Sequence, residues 1–244
     1  MNIVNEIKKK NKPRLIDMFL CSYLISQRIS PYLSSMYIKK NIVPNKITIH
    51  MILSGIIGAI LFSIPNTFVK IIGAIFIQLW FVLDCSDGEV ARYTKTFSKF
   101  GKELDYMAHL INHPLFGLSI FISLYQLNRY NVFILISLVV LSNLIDYGIR
   151  NITTLNVMDE FKLENKNENN ADDKPVWNIK TIVLFVTSIF TLYPNFALFG
   201  VLIYFVDLYV GSNILYFYLI MNVIVTGLFL IKYYIKKTKY YYLT

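Results

Sequence analysis

Six apolar stretches, residues 47–64, 67–83, 103–125, 131–146, 179–206 and 214–231, constrain this chain more than any other feature. Most approach the roughly 20 residues a helix needs to cross the hydrocarbon of a bilayer. Composition agrees: 55% of the 244 residues are hydrophobic, 16% are aromatic and only 16% are charged, too little charge for a water-soluble domain of this size. The sequence predicts an all-α integral membrane protein of six transmembrane helices preceded by N-terminal interfacial amphipathic helices. Residues 1–46 form a basic arm, 47–235 the membrane domain, 158–178 a mobile hydrophilic loop within it, and 236–244 a basic tail.

A net charge of +9 raises the question of nucleic acid, but the basic residues flank apolar runs instead of forming a patch interleaved with aromatic residues. Membrane orientation accounts for them: with the N-terminus inside, only Lys70 and Arg129 fall outside. Both termini and the 159–174 loop are then expected in the cytosol, in a multi-pass protein of the cell membrane. The arm, with Lys8, Lys9, Lys10, Lys12 and Arg14 among apolar residues, suits an anionic lipid surface. Residues 15–25 superficially resemble a signal-peptide core, but no small-residue cleavage site follows. Cys21 and Cys85, far apart in sequence, are not expected to form a disulfide.

The charges that interrupt this pattern concentrate in residues 83–113, LDCSDGEVARYTKTFSKFGKELDYMAHLINH. Asp84, Asp87, Gly88 and Ala91 are spaced to share one helical stripe. Gly101, Asp105 and His109 recur at steps of four on a second helix. Facing stripes of this kind converge carboxylates and an imidazole on one pocket, a donor set for a hard divalent cation that completes its shell with phosphate oxygens. Gly88, Ala91 and Gly101 leave room for a nucleotide, and Arg92 is a bidentate phosphate donor. An isolated Asp-x-x-Asp more often caps or solvates a helix end, and it is the full spacing that argues otherwise.

That spacing, D-x-x-D-G-x-x-A-R, eight residues, then G-x-x-x-D-x-x-x-H, resembles the signature of the CDP-alcohol phosphotransferase family. The family has a fourth aspartate where this chain has His109. The resemblance covers essentially the whole chain and implies a metal-dependent enzyme. A substituted phosphate, such as phosphatidyl, passes from a CDP-linked donor to an alcohol with release of CMP. It further implies Asp84, Asp87 and Asp105 as ligands of Mg²⁺ or Mn²⁺, and Gly88, Ala91, Arg92 and Gly101 around the nucleotide. His109 stands where the family's general base and fourth metal ligand would be; a neutral imidazole can take either role, but hardly both at once. CDP-diacylglycerol as donor, a polar alcohol or polyol phosphate as acceptor and a homodimer are what the family suggests. Residues 17–45, with Ser26, Arg28, Ser30 and Pro31, more loosely resemble the arm of the branch that uses polyol phosphates.

Other polar residues admit two readings. Pro44 and Asn45 suit an ordinary helix start, whereas the resemblance gives Asn45 and Thr48 a nucleotide contact. His50 reads as a packed or hydrogen-bonded interior residue and not a ligand, and His113 belongs equally to the pocket or to helix packing. Asp146 and Arg150, four apart, suit a local ion pair, with Arg150 also a candidate for an acceptor phosphate. A transporter using Asp84, Asp87, Asp105 and His109 for protons or cations is the rival class, although such sites belong near mid-membrane. A catalytically silent relative, with the fourth aspartate lost, is the third reading.

Overall fold

The computed structural model describes residues 3–10, 25–163, 182 and 197–243, and every element within them is a helix. Two short helices, α1 (Ile3–Lys10) and α2 (Gln27–Lys39), precede α3 (Pro44–Ser63), α4 (Thr67–Thr94), α5 (Gly101–Tyr125) and α6 (Val132–Leu163). They are followed by α7 (Ala197–Val210) and α8 (Ile214–Leu243). Five membrane-length apolar segments lie in α3, α4, α5, α6 and α8, and Leu198–Val210 is a shorter apolar helix. The chain is a multi-span membrane protein. Cys21, most of the 179–206 apolar stretch up to residue 196, and most of the 159–174 loop lie outside the described residues.

Local sequence explains where these helices begin and end. Pro44 opens α3, where its missing N–H costs nothing. Asn66 caps α4 by accepting from the Val69 N–H at 3.1 Å, and Asn131 does the same for α6 through the Phe133 and Ile134 N–H groups. Lys95 ends α4 in a left-handed conformation, φ 56°. The buried Asp207 on α7 accepts from the Ile214 and Leu215 N–H groups and from the Ser212 hydroxyl, so it caps α8 across the 211–213 turn. Two helices run further than the sequence predicts: α6 continues past Asp159 to Leu163, and α8 through the basic tail to Leu243. Polarity ends a membrane span without ending the helix.

α3 packs against both α4 and α5, and its crossing with α4 depends on glycine. A Cβ on Gly58 would lie 2.8 Å from the Ile77 backbone nitrogen, so the chains approach as closely as backbone allows. At the end of α3 remote from the carboxylates, Lys70 is buried and donates to the Phe62 carbonyl and the Ser123 hydroxyl, both at 2.7 Å. Its ammonium group also lies about 5 Å from the Phe62 and Tyr204 ring centroids. Gln126 donates to the Ser63 carbonyl at 2.7 Å. The helix end thus gains a cation and two side-chain donors for its open carbonyls. α7 packs beside this end of α4 and α5, while α6 lies between α5 and α8.

The arm turns its polar side inward. Along α2, Ser30 and Ser34 donate to the two carboxylate oxygens of Glu89 at 2.7 and 2.6 Å, and Gln78 donates to Ser26 at 3.3 Å. α1 joins through Tyr93, which donates to Glu6 at 2.8 Å, and through the buried Ile7. Ile29, Tyr32 and Met36 face outward instead. A Ser30→Ala/Ser34→Ala double variant should therefore lower the unfolding midpoint in detergent, losing about 1 kcal/mol or more per hydrogen bond to the buried carboxylate. An unchanged midpoint would contradict this docking.

Candidate active site

Thr67–Thr94 is one continuous helix, so Asp84, Asp87, Gly88 and Ala91 share α4 as their spacing predicts, and Gly101, Asp105 and His109 share α5. His109 Nε2 lies 3.2 Å from Asp84 Oδ1 and 3.4 Å from Asp105 Oδ1. One ligand atom from each of the three residues fits within 4.8 Å of the others. Two carboxylate oxygens and an imidazole nitrogen at that separation could together hold a divalent cation.

Asp87, outside that group of three but close to Asp84, is held through one of its oxygens from α3. Its Oδ2 accepts from the Thr48 hydroxyl at 2.8 Å, one turn into α3. Asn45, a turn earlier, donates from Nδ2 to the Ser98 hydroxyl at 3.0 Å in the α4–α5 connection and lies near Gly101. The first turns of α3 therefore reach both halves of the signature. The exposed Arg92 folds its guanidinium back over Gly88: a Cβ there would lie 2.9 Å from Nη1. Ala91 is partly buried on the same side of α4.

Behind His109 the polar contacts continue into the protein. His109 Nδ1 is 3.0 Å from His113 Nε2, and His113 Nδ1 is 2.7 Å from Asp146 Oδ2 on α6. Arg150, one turn along α6, places Nε 3.5 Å from Asp146. Its terminal nitrogen lies 3.2 Å from His109 Nδ1 and 3.1 Å from His113 Nε2. The ion pair that spacing predicts for Asp146 and Arg150 is present, but the shorter bond of Asp146 goes to His113, and Arg150 faces the histidines. Trp80 packs edge-on against both imidazoles, with ring centroids 5.3 and 5.6 Å away.

Pro114 holds α6 in register with this chain of contacts. It has no N–H for the Leu110 carbonyl, and the Tyr147 hydroxyl donates to that carbonyl instead, at 3.3 Å. His50 is hydrogen-bonded, to the Tyr37 hydroxyl at 3.1 Å, but it is exposed on α3 and not interior. The link from His113 to Asp146, 33 residues away, had one sequence signal, the step of four from His109 to His113. Glu89 had none, because its partners lie in the arm. Replacing Thr48 with Val keeps the shape and removes the hydroxyl from Asp87. It should weaken divalent-cation binding or turnover by about 10–100-fold, read by calorimetric titration and initial rates, the cost typical of losing a bond that supports a carboxylate at a metal site.

The sequence pattern of the CDP-alcohol phosphatidyltransferase family matches residues 41–231. No curated protein matches the chain. The matched region spans the start of α3 to the membrane part of α8 and includes Asp84, Asp105 and His109, while α1 and α2 precede it. On the extent of that match, the chain belongs to the CDP-alcohol phosphatidyltransferase family, enzymes that transfer phosphate-linked groups from CDP-alcohols.

Proposed function

We propose that this enzyme moves a phosphatidyl group from CDP-diacylglycerol to a polar alcohol or polyol phosphate, releasing CMP, at the cytosolic face of the cell membrane. The observation that carries this reading is the convergence of Asp84, Asp105 and His109, with Asp87 and Arg92 one turn or two away on α4, at one end of apolar helices. A site at the end of membrane helices admits a lipid-linked donor from the bilayer and a soluble acceptor from water.

Asp84, Asp87 and Asp105 would hold a divalent cation, Mg²⁺ or Mn²⁺, which when bound neutralises diphosphate charge and stabilises the departing CMP. Arg92 offers two parallel N–H groups to a phosphate, and Gly88 and Gly101 keep the helix surfaces open to the nucleotide. Asn45 and Thr48 position the two halves of the signature against that nucleotide. His109 Nε2 takes the acceptor's hydroxyl proton as its oxygen bonds to the phosphatidyl phosphorus. The bridging P–O bond breaks, and CMP leaves with the electron pair. Arg150, beside both histidines, is placed to meet a phosphate on the acceptor.

The reading is tested by following CMP release from purified protein with Mg²⁺ or Mn²⁺, CDP-diacylglycerol and a panel of polyols and polyol phosphates. Asp84→Asn, Asp87→Asn and Asp105→Asn should each abolish release while leaving the fold intact. Undiminished release in any two would refute the site. His109→Ala should lose about 10²-fold or more in rate while still binding the donor, and His109→Asp should recover part of it. For orientation, a cysteine placed at Thr96 in a protein whose two native cysteines are serine should react with an impermeant thiol reagent only after lysis. Equal labelling of intact cells would reverse the topology.

A further inference from the structure

Resting on the transferase reading and on Arg150 as the contact for an acceptor phosphate, we infer that Tyr106 and Asn151 form the rim of the acceptor site and recognise a hydroxyl beside the one that reacts. α5 and α6 are joined at three levels. His113 meets Asp146 at the buried end, and the Tyr147 hydroxyl donates to the Leu110 carbonyl one turn on. At the exposed end the Tyr106 hydroxyl donates to Asn151 Oδ1 at 2.7 Å. Tyr106 directly follows Asp105, and Asn151 directly follows Arg150, so this last bond borders the candidate site on its water side. A soluble acceptor approaching the Arg150 side chain, 23% exposed, passes it.

As a link between helices the bond contributes little. An exposed neutral hydrogen bond is exchanged for water with small loss, and the contacts below it already join α5 to α6. What it offers is open valence: the amide hydrogens of Asn151 and the lone pairs of the Tyr106 oxygen have no other partner among the described residues. An N–H donor beside a phenolic oxygen matches a hydroxyl group, which both gives and accepts a proton. The rim lies about one helical turn, roughly 5 Å, from His109 and Arg150 along their helices, within the span of a polyol. A molecule with its phosphate on Arg150 and one hydroxyl at His109 can therefore place a second hydroxyl on Tyr106 and Asn151. An alcohol without a phosphate leaves Arg150 unused, and one without a second hydroxyl leaves the rim unused.

Acceptor kinetics test this, with purified protein, a divalent cation, CDP-diacylglycerol and a choice of acceptors: inositol 1-phosphate, glycerol 3-phosphate, and 3-hydroxypropyl phosphate, whose only hydroxyl is the one that reacts. The unaltered protein should favour one of the two polyol phosphates over 3-hydroxypropyl phosphate by about 10-fold or more in kcat/KM. Tyr106→Phe and Asn151→Ala should each raise KM for that polyol phosphate by about 5–10-fold, with KM for the CDP donor changed by less than about twofold and the unfolding midpoint unchanged. A bond that only joins two helices gives the reverse, a lowered midpoint with an unaltered acceptor KM, and that result overturns the inference. So does 3-hydroxypropyl phosphate, or an alcohol carrying no phosphate, serving as well as the polyol phosphates, although CMP release would then still uphold the transferase reading. No CMP release from the unaltered protein with any acceptor would refute that reading and the inference with it.

Discussion

Charge on an apolar helix must be compensated inside the protein, and that requirement organises this molecule. Asp84 and Asp105 meet His109, His109 meets His113, His113 meets Asp146, and Arg150 lies against both histidines and the last carboxylate. No member can leave without exposing a neighbour, so α4, α5 and α6 are fixed relative to one another by a line of polar contacts. The opposite end of the bundle obeys the same rule with the sign reversed: Lys70 is matched by carbonyl and hydroxyl oxygens and by aromatic faces.

The two halves of the molecule meet in α3. Its glycine crossing sets the distance to α4, and its first turns carry Asn45 and Thr48 to the signature. A change deep in the α3–α4 crossing therefore alters the angle at which Thr48 meets Asp87. Packing and chemistry are linked through one rigid rod, not through a flexible loop.

What the sequence made legible was local. Helix periodicity is enough to place Asp84 beside Asp87, and Asp105 beside His109, and apolar length is enough to place the membrane spans. Pairings between distant segments were not legible. Asp146 has a charge partner four residues away, which offers a complete local explanation and hides His113. Glu89 reads as one more charge in a polar stretch until Ser30 and Ser34 are brought to it from more than 50 residues upstream. His50 was misread as interior because an apolar helix surface can face lipid as readily as core, and hydropathy does not separate the two. The extra turns of α6 and α8 escaped for a related reason: charged residues such as Asp159, Glu160 and Lys162 end a hydrophobic span but are compatible with a helix in water.

The inward serines of α2 also bear on how the protein is made. Ser26, Ser30, Ser34 and Ser35 are all buried, and two of them depend on a carboxylate that leaves the ribosome more than 50 residues later. Before α4 is in place, hydrocarbon offers those hydroxyls nothing, and the neighbouring Ile29, Tyr32 and Met36 do not offset their polarity. The hydrogen bonds of α2 are therefore completed only by a helix that follows it in the chain, so docking of the arm requires α4 to be in place.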